Sequence, residues 1–209
     1  MKTEIERRAF DLTSLEVRAK KGEPKKIVGY AAVFDSLSEP MYGFRERIQR
    51  GAFAESVQAD DIRALWNHNA DHVLGRNRAG TLRLQEDDRG LRIEITPPGA
   101  EWARGLMESI ERGDVSQMSF GFQKQVDSWD ETDPSNIIRT LVKVKLFDVS
   151  PVTYPAYPET SVNVRTAEEI MNEHIASAGR PRATDDQFAR IAQESESRER
   201  DLQLVEKGY

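Results

Sequence analysis

The sequence predicts an α+β fold that is mostly β, with a barrel-like core, flanking helices and a charged C-terminal tail. Short apolar patterns typical of strands recur throughout the first 165 residues. Few helical patterns interrupt them, and the composition after residue 165 is charged with few aromatic residues. Because each strand must bury its apolar face, we expect a closed or nearly closed sheet with helices packed outside.

The first half of the chain supplies most of the predicted strands. Continuous or alternating apolar residues predict strands at 27–34, 62–66, 82–84 and 91–95. The last two flank an acidic turn at 86–90 and so predict a hairpin. A short helix is expected at 51–57, since Phe53 and Val57 lie one turn apart.

The second half begins with a helix and continues with two strands. Apolar residues recur every four positions over 102–110 and predict an amphipathic helix. Alternation predicts a strand at 116–126, and a long apolar strand is expected at 137–149, after a polar stretch at 127–136. Three prolines follow, beginning with Pro151, and predict an irregular path.

The composition changes near residue 165 and divides the chain into two parts. A domain over 1–165 precedes a charged extension over 166–209. An apolar stripe at 170–175 has helical spacing, whereas 185–206 is highly charged with few apolar residues. We therefore expect the extension to be helical or disordered.

Bulk composition limits the class of protein. The net charge of −6 and the pI near 5.3 argue against a general nucleic-acid binder, which needs a basic surface. The absence of cysteine excludes disulfides, a thiol nucleophile and cysteine-ligated metals. No apolar run reaches the roughly 20 residues that span a bilayer, and the charged N-terminus lacks a signal-like apolar segment. We expect neither a nucleic acid nor a membrane as partner.

Three polar residues in apolar surroundings form the candidate site. His68 follows a predicted strand where turn-forming residues begin, and an imidazole can move a proton near neutral pH. Ser119 alternates with Met118 and Phe120, so its hydroxyl faces away from the core. Asp148 lies among apolar residues and needs a partner for its charge. A base, a nucleophile and an orienting acid are the minimum set for a serine hydrolase.

Each of the three residues also has an ordinary structural interpretation. Ser119 could be a small packing residue, His68 a hydrogen-bonded turn residue, and Asp148 the partner of an arginine or a backbone amide. Gly121 favours the catalytic interpretation, because it shares the face of Ser119 and leaves space where a substrate backbone could approach.

A zinc site is the competing chemical interpretation. His68 and His72 have the spacing of a helical zinc pair, but asparagine stands at position 69 where the metalloprotease motif has its catalytic glutamate. The surrounding pattern favours a loop, and only one other histidine exists. We therefore expect no metal and no other cofactor.

Several segments, in their order along the chain, resemble the prohead (procapsid) maturation proteases of tailed bacteriophages over roughly residues 27–163. The similar segments are GYAAVF at 29–34, RGAF at 50–53, WNHN at 66–69, LGR at 74–76, MSFGF at 118–122 and FDVSPVTYPA at 147–156. The resemblance implies a serine endopeptidase whose β-barrel fold, ringed by helices, is related to the herpesvirus assembly proteases. His68 would be the base, Ser119 the nucleophile and Asp148 the third member. Family members often carry glutamate at this third position and the herpesvirus enzymes use a second histidine, so His72 is the fallback orienter.

The resemblance also implies a place of action and substrates. Members of this family work inside the immature capsid in the host-cell cytoplasm, where they cleave scaffold protein or the scaffolding segment of the major capsid protein, and often themselves. Related viral proteases often dimerise, so self-association is expected. The extension after residue 165 would be a packaging signal or a self-cleaved segment.

Two further hypotheses concern the oxyanion of the reaction and an alternative function. Backbone N–H groups or a nearby arginine must hold the oxyanion of the reaction, and Arg76 is the candidate side chain. The alternative function is a non-catalytic capsid scaffold or assembly factor that keeps the same fold.

Overall fold

The computed structural model describes residues 5–10, 15–19, 21–154 and 165–179. These residues form ten strands, three α-helices and one short 3-10 helix. In chain order the elements are β1 Glu6–Phe10, β2 Glu16–Arg18, β3 Lys26–Val33, β4 Arg45–Ile48, α1 Ala54–Ala59, β5 Arg63–Trp66, β6 Asn69–Arg76, the 3-10 helix Asn77–Ala79, β7 Leu82–Glu86, β8 Gly90–Ile95, α2 Glu101–Arg112, β9 Gln117–Asp130, β10 Ile138–Val152 and α3 Ala167–Ser177.

The described strands form two open sheets that share one core. The larger sheet has the order β1-β9-β10-β5-β6, with β4 parallel to the first part of β10. The smaller sheet is antiparallel, in the order β2-β3-β8-β7. Ile27 and Ile93 from the smaller sheet, Phe120 and Leu146 from the larger sheet, and Leu106 from α2 belong to one cluster of buried side chains. The mostly β, α+β prediction is confirmed, whereas a barrel-like core is not, because each described sheet ends in edge strands.

Several sequence predictions need correction. The strand expected at 116–126 continues to Asp130, so the start of the polar stretch at 127–136 pairs with β10. Pro151 lies inside β10 rather than in an irregular path. Proline has no N–H to donate, but its carbonyl can still accept a hydrogen bond, here from the N–H of Asn67. The predicted loop at 68–72 is mostly the start of β6, and β1, β2 and β4 were not predicted either.

A buried cluster of charges, called here the charged cluster, explains why β1 and β4 have no apolar pattern. Its members are Glu6, Arg8, Glu46, Asp127, Arg139 and Arg165. Arg139, which is fully buried, bonds Glu6 at 2.6 Å, Glu46 at 2.9 Å and Asp127 at 2.8 Å. Three carboxylates thus balance three guanidinium groups, which allows charged side chains to occupy core-facing positions of short strands.

We expect Arg139→Met to lower the free energy of unfolding by about 3–5 kcal/mol at pH 7, because it leaves buried carboxylates unpaired. Burial acts to raise the pKa of Glu6, but the hydrogen bond from Arg139 and the nearby charges outweigh it, so that this pKa lies below its ordinary value. The pKa of Asp127 is also lowered, since the bond to Arg139 outweighs the effect of burial. Urea denaturation of the wild type and of Arg139→Met measures the difference in their free energies of unfolding.

The acid limb of the stability curve gives a second readout. Carboxyls with lowered pKa values stabilise the folded state above their ordinary pKa and lose that contribution as the pH falls through the lowered values. The wild type should therefore lose stability below about pH 4.5 more steeply than Arg139→Met does. Arg18→Met, which removes an exposed pair with Glu16, is the control and should cost under about 1 kcal/mol. Equal acid slopes in Arg139→Met and wild type would contradict the assignment.

Helix α3 packs on the end of the larger sheet that is remote from His68. Its side chains Ile170, Met171 and Ile175 form a small apolar cluster with Phe44 and Ile137. A capping box starts the helix, with Thr166 and Glu169 exchanging side-chain-to-backbone hydrogen bonds. The predicted helical stripe is thus confirmed. The charged stretch at 185–206 lies outside the described residues, and the domain boundary near residue 165 stays a prediction.

Candidate active site

His68 lies in the tight turn that joins β5 to β6. Trp66 pairs with Asn69, so Asn67 and His68 are the two central residues of the hairpin. Both have left-handed backbones, with φ of 53° and 56°. Two consecutive positive φ values define a type I′ turn, and this conformation is unusual for histidine. The turn therefore fixes the position of His68 through a backbone that few residues adopt.

Asn67 anchors this turn to the end of β10. Its N–H donates to the carbonyl of Pro151 at 3.0 Å. Its side-chain Oδ1 accepts the N–H of Thr153 at 2.9 Å, and its Nδ2 donates to Thr153 Oγ1 at 3.3 Å. These three bonds hold the hairpin against β10, the strand that carries Asp148. Asparagine suits the position because it tolerates a left-handed backbone and carries both a donor and an acceptor.

Ser119 lies near the start of β9, on the face of the larger sheet opposite the core, called here the outer face. Its neighbours Met118 and Phe120 are fully buried in the core, as the alternation predicted. Across the ladders, Ser119 is opposite Ser150 of β10 on one side and Ala9 of β1 on the other. A strand paired on both sides and anchored by large side chains holds the hydroxyl rigidly.

Asp148 reaches the outer face because β10 has a bulge. Leu146 pairs with Phe122 and Asp148 pairs with Gly121, so Phe147 is an extra residue in β10. In a regular strand that paired Phe147 as well, Asp148 would lie two residues after Leu146, share its face and point into the core. The bulge thus converts a core-facing position into one beside Ser119.

The three predicted residues meet on the outer face. The His68 Nε2 atom lies 2.7 Å from Ser119 Oγ, and its Nδ1 atom lies 2.6 Å from Asp148 Oδ1. Since a carboxylate accepts only, Nδ1 carries the proton and Nε2 accepts from the serine hydroxyl. Ser150 Oγ donates to the same Asp148 Oδ1 at 2.7 Å, a contact that the sequence analysis missed. The spacing Asp-x-Ser on one strand is the signal that could have indicated it.

Gly121 makes room for the carboxylate rather than for a substrate. A Cβ atom at this position would lie 2.4 Å from Asp148 Oδ2, well inside contact distance. The expectation that this space admits a substrate backbone is therefore wrong, because Asp148 fills it.

We expect Gly121→Ala to displace Asp148 and lower kcat roughly 100-fold, since a shift of about 1 Å at a catalytic group has that effect. The displacement follows from the close approach of the new methyl group to the carboxylate. Gly105→Ala in α2 is the matched control, because a Cβ there meets nothing within 4 Å. Activity of Gly121→Ala equal to that of Gly105→Ala would contradict this role.

The structure does not bring His72 or Arg76 to Ser119. The His72 ring lies between Trp66 and Trp102, and its Nδ1 atom contacts Asn69 Nδ2 at 3.0 Å. It therefore does not orient His68, and the fallback assignment is not supported. His68 and His72 also have different partners, which does not fit a shared zinc ion.

Arg76 is engaged elsewhere. Its guanidinium makes two bonds to Asp61, at 2.7 and 2.6 Å. The hydrogen bond from Arg76 lowers the pKa of Asp61 to about 2. A guanidinium committed to this carboxylate is not positioned for an oxyanion at Ser119, so the structure does not support the role expected of Arg76.

The described ranges contain neither a metal-binding cluster nor a membrane-spanning helix. Within residues 5–10, 15–19, 21–154 and 165–179, no three His, Asp or Glu side chains are grouped so that they could hold a metal ion. None of the helices in these ranges has the length and apolar character needed to span a bilayer.

A serine hydroxyl bonded to a histidine whose other ring nitrogen bonds a carboxylate is the arrangement of a serine hydrolase. The sequence model of the caudovirus prohead serine protease family matches residues 13–174, and the chain belongs to this family. No curated protein and no solved structure matches the chain. Membership supports a role as a serine protease of phage capsid maturation, which acts on capsid or scaffold proteins in the procapsid within the host cytoplasm.

Proposed function

We propose that this chain is the endopeptidase that cleaves scaffold protein, or the scaffolding segment of the capsid protein, inside the procapsid. Ser119 is the nucleophile, His68 the general base and acid, and Asp148 the orienting carboxylate. The observation that carries the proposal is the continuous hydrogen-bond chain from Ser119 Oγ through both ring nitrogens of His68 to Asp148. These atoms come from positions 51 and 80 residues apart, and the fold brings them together.

The first half of the reaction forms an acyl-enzyme. Ser119 Oγ attacks the carbonyl carbon of the scissile peptide bond while His68 Nε2 takes the hydroxyl proton. Asp148 Oδ1 stabilises the imidazolium through the Nδ1 proton, and Ser150 holds that carboxylate in place. The tetrahedral intermediate collapses when His68 gives its proton to the leaving nitrogen, which breaks the C–N bond.

The second half regenerates the enzyme. Water attacks the acyl carbon while His68 Nε2 takes one of its protons, and the serine oxygen leaves with that proton. Each proton that His68 accepts is returned in the same half-reaction, so the chemistry needs no cofactor. The carboxylate acts by orientation and charge, without being protonated.

Three more specific proposals rest on the family to which the chain belongs. We infer that the fold is related to that of the herpesvirus assembly proteases, that the chain self-associates, and that it cleaves itself within the extension after residue 165. Comparing the C-termini of wild type and Ser119→Ala by intact mass tests self-cleavage. Identical C-termini would contradict self-cleavage but would not bear on the proposed cleavage of scaffold or capsid protein.

A fluorophosphonate probe tests the nucleophile directly. We expect covalent labelling of one site, located by mass spectrometry to the peptide that contains Ser119, and no labelling of Ser119→Ala or His68→Ala. Ser128 lies on the same strand in an exposed position and should stay unlabelled. Labelling at Ser128, or equal labelling of His68→Ala, would contradict the proposed activation. The reaction is performed on the free chain and on assembled procapsids, and failure in both would overturn the proposal.

A further inference from the structure

The strand β1 occupies the edge of the sheet that carries the nucleophile. It pairs antiparallel with β9 from Glu6↔Phe122 to Phe10↔Met118, which places Ala9 opposite Ser119. Among the described strands β1 pairs only with β9, so it is an edge strand. Its residues also precede the region that the family model matches, which begins at residue 13. If only the matched region were present, β1 would be missing and the edge of β9 at Ser119 would have no partner among the described strands.

Ser119 is fully buried in the structure, with β1 paired along one side of its strand. A peptide carbonyl carbon must come within about 3–3.5 Å of the serine oxygen to react, so part of the surroundings must move. The turn with His68 and the strand with Asp148 belong to the triad itself. Of the two strands that adjoin β9 at Ser119, only β1 can leave without dismantling the triad.

The contacts of β1 are those of a bound peptide. A main-chain ladder holds it to β9, and alternate side chains enter specific charged sites. Glu6 accepts two bonds from Arg139, at 2.6 and 3.1 Å, while Arg8 donates to Glu46 at 2.7 and 3.0 Å. Ladder bonds for affinity and alternate side-chain sites for specificity define strand addition to a sheet edge, the way in which an extended peptide is recognised.

We propose that β1 is a tethered strand in the place of the substrate, and that a substrate strand replaces it. The incoming peptide would pair antiparallel with β9 and present an acidic and a basic side chain, two residues apart, to Arg139 and Glu46. This inference deepens the proposed function, since it assigns the substrate class of the same site. It also makes the resting chain self-inhibited.

A reversible crosslink tests whether β1 must leave. The register of β1 and β9, continued by one residue from Glu6↔Phe122, places Ile5 opposite Gln123 on the outer face. The chain has no cysteine, so Ile5→Cys/Gln123→Cys forms one defined disulfide. We expect oxidation to lower the initial rate of scaffold cleavage at least about tenfold, and reductant to restore it, because the open state is depleted. Gln85→Cys/Arg92→Cys, a pair across β7 and β8, should show no such dependence.

A second experiment needs no catalysis and so separates this proposal from the proposed function. Full-length Ser119→Ala/Gln123→Cys is incubated with a peptide of residues 1–12 that carries cysteine at the Ile5 position, and mixed disulfide is measured by intact mass. We expect at least about tenfold more capture than with a peptide in which Glu6 and Arg8 are exchanged. The exchange places arginine at Arg139 and glutamate at Glu46, so that like charges face each other. Ser119→Ala/Gln85→Cys should capture both peptides equally.

The outcomes of these two experiments are distinct. Equal capture of the native and charge-exchanged peptides by the Gln123→Cys thiol would overturn the substrate-strand proposal, even if the wild type is an active protease. Cleavage unaffected by the Ile5–Gln123 crosslink would likewise overturn it. Selective capture by a chain whose Ser119 never reacts with fluorophosphonate would instead contradict the proposed function and leave the peptide site standing.

Discussion

Ser119→Ala is expected to lower kcat for scaffold cleavage by on the order of 10⁶-fold, the loss seen when the nucleophile of another serine protease is removed. The reason is that no other hydroxyl occupies the position 2.7 Å from His68 Nε2 in the described structure. The side chain it removes faces the outer surface of a strand whose core side is unchanged, so folding should be retained. Initial rates on purified scaffold protein, together with urea denaturation, check both statements.

Ser128→Ala is the matched control for this substitution. Both serines lie on β9, but Ser128 is exposed and pairs with Thr140, far along the strand from His68. Its replacement should leave kcat within about twofold, as is usual for exposed positions without special contacts. Residual activity of Ser119→Ala comparable to that of Ser128→Ala would show that the nucleophile has been misassigned.

Asp148→Asn is expected to lower kcat by about 10⁴-fold, the effect of the same change in another serine protease triad. The amide is nearly the same size, so the carboxylate site beside Gly121 stays filled. However, it removes the negative charge 2.6 Å from His68 Nδ1 that stabilises the imidazolium and fixes the tautomer. The expected signature is a large fall in kcat with little change in KM.

Ser150→Ala separates orientation from charge. It removes only the hydroxyl that donates to Asp148 Oδ1 at 2.7 Å. A single hydrogen bond contributes about 0.5–1.5 kcal/mol, so a fall in kcat of roughly tenfold is expected. A loss in Ser150→Ala as large as in Asp148→Asn would indicate that the carboxylate acts mainly through its position. Retention of full activity by Asp148→Asn would exclude it from the site.

The positions of Ser119 and His68 in the candidate site could be predicted because each stands out from a regular local pattern. Ser119 follows from alternation with Met118 and Phe120, which fixes its face in any strand. His68 could be predicted because it comes directly after an apolar strand, where turn-forming residues place a side chain at the edge of the fold. These signals are local, and local patterns survive folding wherever packing agrees with them.

The remaining features depend on pairings between distant segments. The face of Asp148 depends on the bulge at Phe147, which strict alternation does not indicate. The strands β1 and β4 bury charges instead of apolar side chains, since Arg139 neutralises Glu6 and Glu46 from a third strand. The ion pair of Arg76 with Asp61 could not be predicted, because only the folded chain brings the two residues together. A single sequence without these pairings carries no signal for them.

The position of a lost codon within β10 decides whether the gene still specifies an enzyme. An in-frame deletion of Phe147 leaves Leu146, Asp148 and Val149 in regular alternation, so Asp148 stays on the outer face. An in-frame deletion of Val149 instead joins Asp148 directly to Ser150, and because successive residues of a strand point to opposite faces, the two side chains no longer meet. Of two genes that both encode His68, Ser119 and Asp148, one would therefore specify an enzyme and the other an inert shell component.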